Sequence, residues 1–531
     1  MLRSTQGTAS KPGTASKLLV PALCLCGTTV TLQQATVVPL LPDMPRLLGI
    51  SVEDASWILT STLLASAVAT PVLSRLADMF GKRRIMLVCL VMMSIGSALA
   101  ALDLSFAAMI AGRSLQGFAA ALVPVGISVL REEIPGTKLA PAVAMISATL
   151  GFGSALGLPL AGVLYELLGW QSIFWSAAAA GIVLIAVLPL VMSKSRIRTP
   201  GRFDYGGAIL LSVALTAALL ALTKGGTWGW TSAPTLMTAA TAVITLALWF
   251  PLELKISQPI LDLRTSARKP VLITNLVAVL VGYSMYSNLL STIQQLQMPY
   301  ATGYGFGLSV MAAGLCMVPT GLAMVIFTPI SALSSRRWGA KTALIIGSLV
   351  STAGFISRLF LTEELWMVML GAAVIGIGNA IAYAAMPTLI MGSVPVTVTA
   401  AANGLNTVLR VIGTTVGSAA VAVLLASTTL TLDGTKYPSF QALEHIFWIA
   451  VSAALTAAVL ASFLPVSRPE RRGRRRAGGH DERREDGTEV GGHKDVSRIR
   501  TRIVADHVRH DDAGWDAPEP EDRVRGVPHQ L

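Results

Sequence analysis

Apolar runs long enough to cross a bilayer as helices, about 20 residues each, recur fourteen times along the chain. Their limits are 18–41, 55–73, 85–103, 106–130, 140–164, 170–192, 205–222, 234–252, 270–293, 308–333, 342–361, 366–390, 400–427 and 445–464. The even number puts both chain ends on one side of the membrane. The pattern also repeats. Pro135, Gly153 and Gly157 recur 260 residues later as Pro395, Gly413 and Gly417, and Ile173-Phe174-Trp175 recurs as Ile446-Phe447-Trp448 at an offset of 273. The 13 extra residues fall in a loop around Asp433 to Pro438. The expectation is an all-α membrane protein of 14 transmembrane helices, two six-helix bundles with a two-helix insert between them. Residues 1–17 form an N-terminal segment, 18–192 the first bundle, 193–269 the insert with its linkers, 270–464 the second bundle and 465–531 a disordered tail. Parallel halves of this kind place a substrate path on the axis between them.

Composition agrees with this pattern. At 53 % hydrophobic and 13 % charged residues over 531 positions, with mean hydropathy +0.64, the chain is too apolar for a water-soluble globule. The net charge of +12 suggests a nucleic-acid partner until the charges are located. Residues 465–531 carry 15 Lys+Arg and 14 Asp+Glu, so the tail contributes +1. Of the other 26 cations, twenty lie at the amino end or in alternate loops. Only Arg46, Lys224, Lys436 and, at a helix end, Arg358 fall on the other side. Positive loops stay inside, so both termini are expected to be cytoplasmic and no nucleic-acid partner is expected. The tail's Arg471 to Arg476 run reads as solvated, with anionic lipid headgroups the alternative contact. The polar residues 1–17 lack a signal-cleavage site. Cys24, Cys26, Cys89 and Cys316 all fall within apolar spans and suggest neither disulfide nor metal.

Three polar features interrupt the apolar pattern. Ser74 to Arg84 packs four cations, Arg75, Lys82, Arg83 and Arg84, and one acid, Asp78, between two apolar runs. Gly81 supplies the backbone freedom of a tight turn. Asp78 is either a latch between the halves, held by the positive N-terminus of the span at 400, or an acid that merely neutralises its neighbours. Arg113, followed by Gln116 and Gly117, lies inside the span 106–130 and must face protein or water; the alternative to a functional role is an arginine bridging backbone carbonyls. Gly151, Gly153, Gly157, Pro159 and Gly162 make the span 140–164 thin and bendable. That suits either a sliding seam or a plain packing face.

With the 14 spans, these elements resemble the major facilitator superfamily, and within it the 14-spanner drug/proton antiporters of the EmrB/QacA type. The loop motif is matched by Leu76, Asp78, Gly81, Lys82 and Arg83, with Ser74 in place of the first glycine. The fourth-helix motif is matched by Arg113, Gln116 and Gly117, and the fifth-helix motif by Gly153, Gly157 and Gly162, with Leu158 before Pro159. Asp204 with Gly207, and Glu253 with Pro259 and Asp262, look like the borders of the two extra helices. The resemblance covers roughly residues 18–465 and excludes the tail. It implies alternating access, export rather than uptake, and proton exchange. The gating and coupling roles it implies fall on Asp78, Gly81, Arg83, Arg113, Gln116, Gly153, Gly157 and Pro159.

One departure bears on coupling. Where the family often carries an acid in the first span, this chain has Gln33, and no Asp, Glu or His lies near the middle of any span. A proton would have to use Asp78, an end acid such as Glu132 or Glu166, or the substrate itself. A central pocket is expected from Gln33, Gln34, Thr36, Gln116, Asn275, Tyr283, Asn288, Gln294, Gln295, Asn379, Tyr383, Asn403, Asn406 and Arg410, about half of them lining it and the rest tying helices together. With Arg113 and Arg410 inside, it favours neutral, zwitterionic or anionic amphiphiles over cationic dyes. The expected partners are an amphiphilic small molecule, protons and membrane lipids, for a monomer in the cell membrane. A dedicated exporter of an endogenous metabolite or lipid, and a transporter-like receptor, are the alternatives. No nucleophile–base pair, metal cluster or phosphate loop is present, so no enzyme, catalytic residue, metal or cofactor is expected.

Overall fold

Hydrocarbon offers the backbone no hydrogen-bond partners, so a segment that spans it must satisfy its own N–H and C=O groups. In the computed structural model, which describes residues 14–41, 43–193, 199, 201–256, 259–432 and 435–465, the fourteen apolar runs fold as helices. They are α1 (Thr14–Ala35), α2 (Val52–Phe80), α3 (Lys82–Ala101), α4 (Phe106–Gly117 and Leu122–Glu133, joined through a 3-10 turn), α5 (Gly136–Leu168), α6 (Gln171–Val191) and α7 (Tyr205–Trp228). There follow α8 (Ala233–Lys255), α9 (Lys269–Gln297), α10 (Val310–Cys316 and Val318–Trp338), α11 (Ala340–Phe360), α12 (Leu365–Met391), α13 (Thr399–Ser427) and α14 (Phe440–Ser462). Thirteen of these are long and apolar enough to cross a membrane, and α5 makes a fourteenth as two pieces, Lys138–Ser154 and Pro159–Leu168, bent by 49°. Pro159 lacks the N–H that would continue the ladder there. The tail and the run from Arg471 to Arg476 lie outside the described residues.

Several helices outrun their apolar cores. α2 continues from the expected end near residue 73 to Phe80, because Ser74, Arg75 and Asp78 are buried against protein instead of meeting water. The run at 308–333 is divided at Met317, just ahead of Pro319 in the first turn of its second piece. The loop expected around Asp433 to Pro438 includes a short antiparallel pair, Thr429–Leu432 with Thr435–Pro438.

Packing in the two halves follows one plan. In the first half α1 packs on α5 and α6, α2 on α4, and α3 on α4 and α6; in the second α9 packs on α13 and α14, α10 on α12, and α11 on α12 and α14. The correspondence reaches single contacts. Gly153 and Gly157 of α5 press on Thr31 and Ala35 of α1, while Gly413 and Gly417 of α13 press on Val279 and Tyr283 of α9. The glycines are 260 residues apart in each case, and their partners 248. Close approach of backbones at small residues is how apolar helices gain contact where no hydrophobic effect separates helix from lipid. The halves meet along α2 with α13 and α5 with α10, and α7 of the insert lies against both α2 and α13.

Candidate functional site at the seam between the halves

At one end of the seam the tight turn between α2 and α3 is a single residue, Gly81, at φ 106° and ψ 130°, a conformation that a side chain resists. It places Asp78, in the last turn of α2, 1 % exposed, with Oδ2 accepting the backbone N–H of Ala401 at 3.0 Å. Ala401 lies in the first turn of α13, where unpaired N–H groups and the helix dipole favour a carboxylate by about 0.3–2 kcal/mol. Lys82 sits 3.7 Å from Asp78 Oδ1 and is ion-paired with Glu132 of α4. Lys82 thus bridges two carboxylates, and that of Asp78 faces the positive end of α13.

A second tie lies beside the first. Arg131 of α4 donates to Thr399 Oγ1 at 2.6 Å, to Val394 O at 2.9 Å and to Pro395 O at 3.3 Å. Gly404 of α13 packs on Ser74 and Thr70 of α2. The halves are closed against each other at this end. Arg83 instead serves its own half, donating to Met192 O at 3.1 Å, just past the end of α6.

Deeper in the first half, Arg113 is 1 % exposed. Its Nε donates to Ile58 O at 3.0 Å and its Nη1 to Gln116 Oε1. Gln116 Nε2 donates to Ser97 Oγ at 2.7 Å, Gln33 Nε2 to Gln116 O at 3.2 Å, and Thr62 Oγ1 to Arg113 O at 3.0 Å. Four helices, α1 to α4, converge on one guanidinium whose hydrogen-bond partners are neutral. It points into the first half, away from lipid.

The other polar residues separate into small groups. Asn406 donates to Asn275 Oδ1 at 3.1 Å across α13 and α9, and Asn288 donates to Ala372 O at 3.2 Å. Asn379 Oδ1 accepts from Ser284 and Ser351 at 3.2 and 3.3 Å. The Tyr383 ring lies 4.8 Å beneath the Arg410 guanidinium, and its hydroxyl donates to Met285 Sδ at 3.1 Å. Thr36, Asn403 and Gln294 bond within their own helices or one residue beyond, to Leu32 O, Thr399 O and Met298 Sδ. Gln34 is half-buried, and the buried Tyr283 hydroxyl and Gln295 Nε2 have no hydrogen-bond partner among the described residues. The bonds of Asn275, Asn288, Asn379, Tyr383 and Asn406 join helices within the second half. Among the described residues, an open cavity of about 680 Å³ lies beside the Asp78 end and includes Arg75 and Glu253, and a shallower, largely apolar groove of about 690 Å³ lies between α2, α4 and α7. None of the expected pocket residues lines either.

The sequence profile of the Major Facilitator Superfamily matches residues 23–418 and 298–509, most of the chain. The chain belongs to the Major Facilitator Superfamily. Among curated proteins of the superfamily, it is 28 % identical over 390 residues to the tetracenomycin C resistance and export protein of Streptomyces glaucescens, covering 73 % of this chain and 71 % of that one. It is 28 % identical, over 73 % of this chain and 72 % of the relative, to the multidrug resistance protein Stp of Mycobacterium tuberculosis. Among solved structures, the human organic anion transporter MFSD10 (TETRAN) superposes with a TM-score of 0.62 at 16 % identity, covering 84 % of this chain and 99 % of that one. The proton:xylose symporter XylE gives 0.58 at 14 %, covering 86 % and 98 %. These last two carry the fold alone. Proteins of the superfamily are transporters, not enzymes, and this one is a multi-pass protein of the cell membrane.

As a Major Facilitator Superfamily transporter the chain holds two buried cations whose surroundings the sequence reading missed. Arg358 of α11, expected at an aqueous helix end, is 0 % exposed. It donates to Thr292 Oγ1 at 2.7 Å and Gln295 Oε1 at 2.6 Å and lies 4.9 Å over the Phe447 ring. The signal was present in the apolar residues on both sides of it, Phe355 to Leu361. Lys224 of α7, expected beside interfacial Trp228 and Trp230, is buried against α2, bonded to Ser56 Oγ and 4.6 Å over the Trp57 ring.

Proposed function

We propose that the protein is a secondary active exporter that moves amphiphilic small molecules, drugs and antibiotics among them, out of the cell by alternating access in exchange for protons. Both termini are cytoplasmic on this reading, the bundles at 18–192 and 270–464 rock about the seam, and the protein works as a monomer in contact with lipid. The observation that carries the mechanism is the Asp78 carboxylate on the N-terminus of α13. It is a charged contact between halves, at one end of the path, that must break for that end to open. The resistance and export roles named for the Streptomyces and Mycobacterium relatives support export.

The interior supports a substrate preference. Among the described residues, Arg113, Arg358 and Arg410 have no carboxylate within salt-bridge reach. A low-dielectric core holding unneutralised guanidinium charge attracts anions and repels cations. Neutral, zwitterionic and anionic amphiphiles are therefore the substrates, rather than strongly cationic dyes. The test is accumulation of a panel of antibiotics and dyes in cells with and without the protein, repeated with a protonophore. Lower accumulation in expressing cells, abolished by the protonophore, is the expected result; equal accumulation of every compound rejects export.

A further inference from the structure

Proton exchange needs a site, and the middle of the spans offers no acid. Beside the seam, however, the structure buries a carboxylate that no step above uses. Glu253, in the last turn of α8, is 2 % exposed. Its Oε1 accepts the Leu261 N–H at 2.7 Å, and its Oε2 has no partner among the described residues. Asp204 caps α7, with Oδ1 accepting the Gly207 N–H at 2.8 Å and Oδ2 also buried without a partner among the described residues. The two orphaned oxygens flank one point, since a methyl group built on Gly207 would collide with both. Buried carboxylate oxygens facing each other without a donor are relieved by one hydrogen placed between them.

We propose that Asp204 and Glu253 hold a single shared proton, and that this pair on the two-helix insert is where the exchanged proton binds. The proposal rests on the proton-exchange reading above. Glu253 lines the 680 Å³ cavity at the Asp78 end, which gives the pair a route for protons. The charged groups around it among the described residues are Arg75 of α2, Asp262, Arg264 and Arg268 of the segment after α8, and Arg202 and Lys255 close in sequence, while α13 and the residue before it bring uncharged Val398, Ala401 and Ala402 to the cavity. Arg264 is held by Leu254 O at 3.0 Å and Arg268 by Ser393 O at 3.4 Å. Arg75 is buried and lies within electrostatic reach of both Glu253 and Asp78. It precedes Asp78 by one helical turn, so charge on the insert pair and charge at the latch act on the same cation. Release of the shared proton raises the pair's charge from one to two units and draws Arg75 towards the insert.

Infrared spectroscopy of the full-length protein in lipid nanodiscs tests the site without any substrate. Wild-type protein is expected to show a protonated-carboxyl band that vanishes as pH rises, and E253Q and D204N each to lack it. The amide introduced by E253Q keeps an oxygen to accept from Leu261, so the fold is retained. Absence of the band from the wild type, or its survival in either variant, overturns the proposal. In proteoliposomes with tetracenomycin C as probe, E253Q is expected to lose uphill movement driven by a pH gradient and to keep downhill movement. Uphill movement retained by E253Q overturns the coupling role. Wild-type movement that ignores the gradient, with the band still lost in E253Q, rejects proton exchange and leaves the proton site standing.

Discussion

In the first half Gly117 seats α4 on Thr62 and Ser66 of α2, and in the second Gly376 seats α12 on Thr320 and Met324 of α10. Gly96 lies against Leu115 and Gln116, and Gly354 against Val374 and Ile375; the separations are all 258 or 259 residues. Gly81 and Gly339 turn their chains with φ of 106° and 90°, and the cation two positions on closes the end of a neighbouring helix, Arg83 on Met192 O and Lys341 on Leu464 O. Charge does not follow the same rule. The position matching Asp78 is Arg336, the one matching Arg113 is Ala372, and the one matching Arg358 is Ala100. Small residues at helix crossings define the shared frame, and each copy carries its own ionic groups on it. Duplicated packing is a property of the fold, whereas in the mechanism proposed above the unduplicated charges carry transport.

The sharpest way to break this division is to remove one arginine from each half. Arg113→Ala is expected to abolish efflux while the protein stays folded in the membrane, as judged by drug accumulation and by membrane yield. Arg358→Ala is expected to act on stability instead, by about 3–5 kcal/mol from two lost charge-assisted bonds and a ring contact, read as thermal unfolding in detergent. Equal transport defects at equal stability would erase the distinction. Next in size is Asp78→Asn, which loses about 1–2 kcal/mol of charge–dipole attraction. A cysteine at Ala402 should then react roughly 5–30 times faster with a water-soluble maleimide.

Smaller effects probe the frame itself. Gly117→Ala meets backbone at 2.8 Å, Thr62 O, whereas Gly376→Ala meets a side-chain methyl, Thr320 Cγ2, at 2.8 Å. The first should cost about 2 kcal/mol and the second about 1 kcal/mol, because a side chain yields more readily than a helix backbone. Least of all, Arg83→Ala and Lys341→Ala should each cost about 0.5–1 kcal/mol at a helix C-terminus, and by the same amount. A clear inequality in thermal stability would show that the matching carbonyl caps are not equivalent.

Hydrophobic length made the fourteen helices legible, because a bilayer leaves the backbone few alternatives. The ends were less so: α2 extends to Phe80 because Asp78 finds a partner across the seam and Arg75 is buried against protein, which no local pattern records. The repeat was visible where Pro135, Gly153 and Gly157 recur together, and invisible where Gly96 and Gly354 stand alone among other glycines. For the polar residues the sequence identified chemistry and not direction. Asn275 and Asn406 were expected in one pocket and do meet, but as a bond between two helices of one half. Arg358 was read as a surface charge because a helix end looks alike whether water or Thr292 and Gln295 lies beyond it.

Arg113 adds an electrical property to the carrier. In a transporter working as proposed, the guanidinium stays within its own half while the aqueous vestibule moves from one side of it to the other. The membrane voltage then falls across different stretches of protein in the two states, and a fixed cation between them feels the change. At about 2.3 kcal/mol per elementary charge for each 100 mV, even a fraction of that drop makes resting potential a force on the empty protein's return stroke.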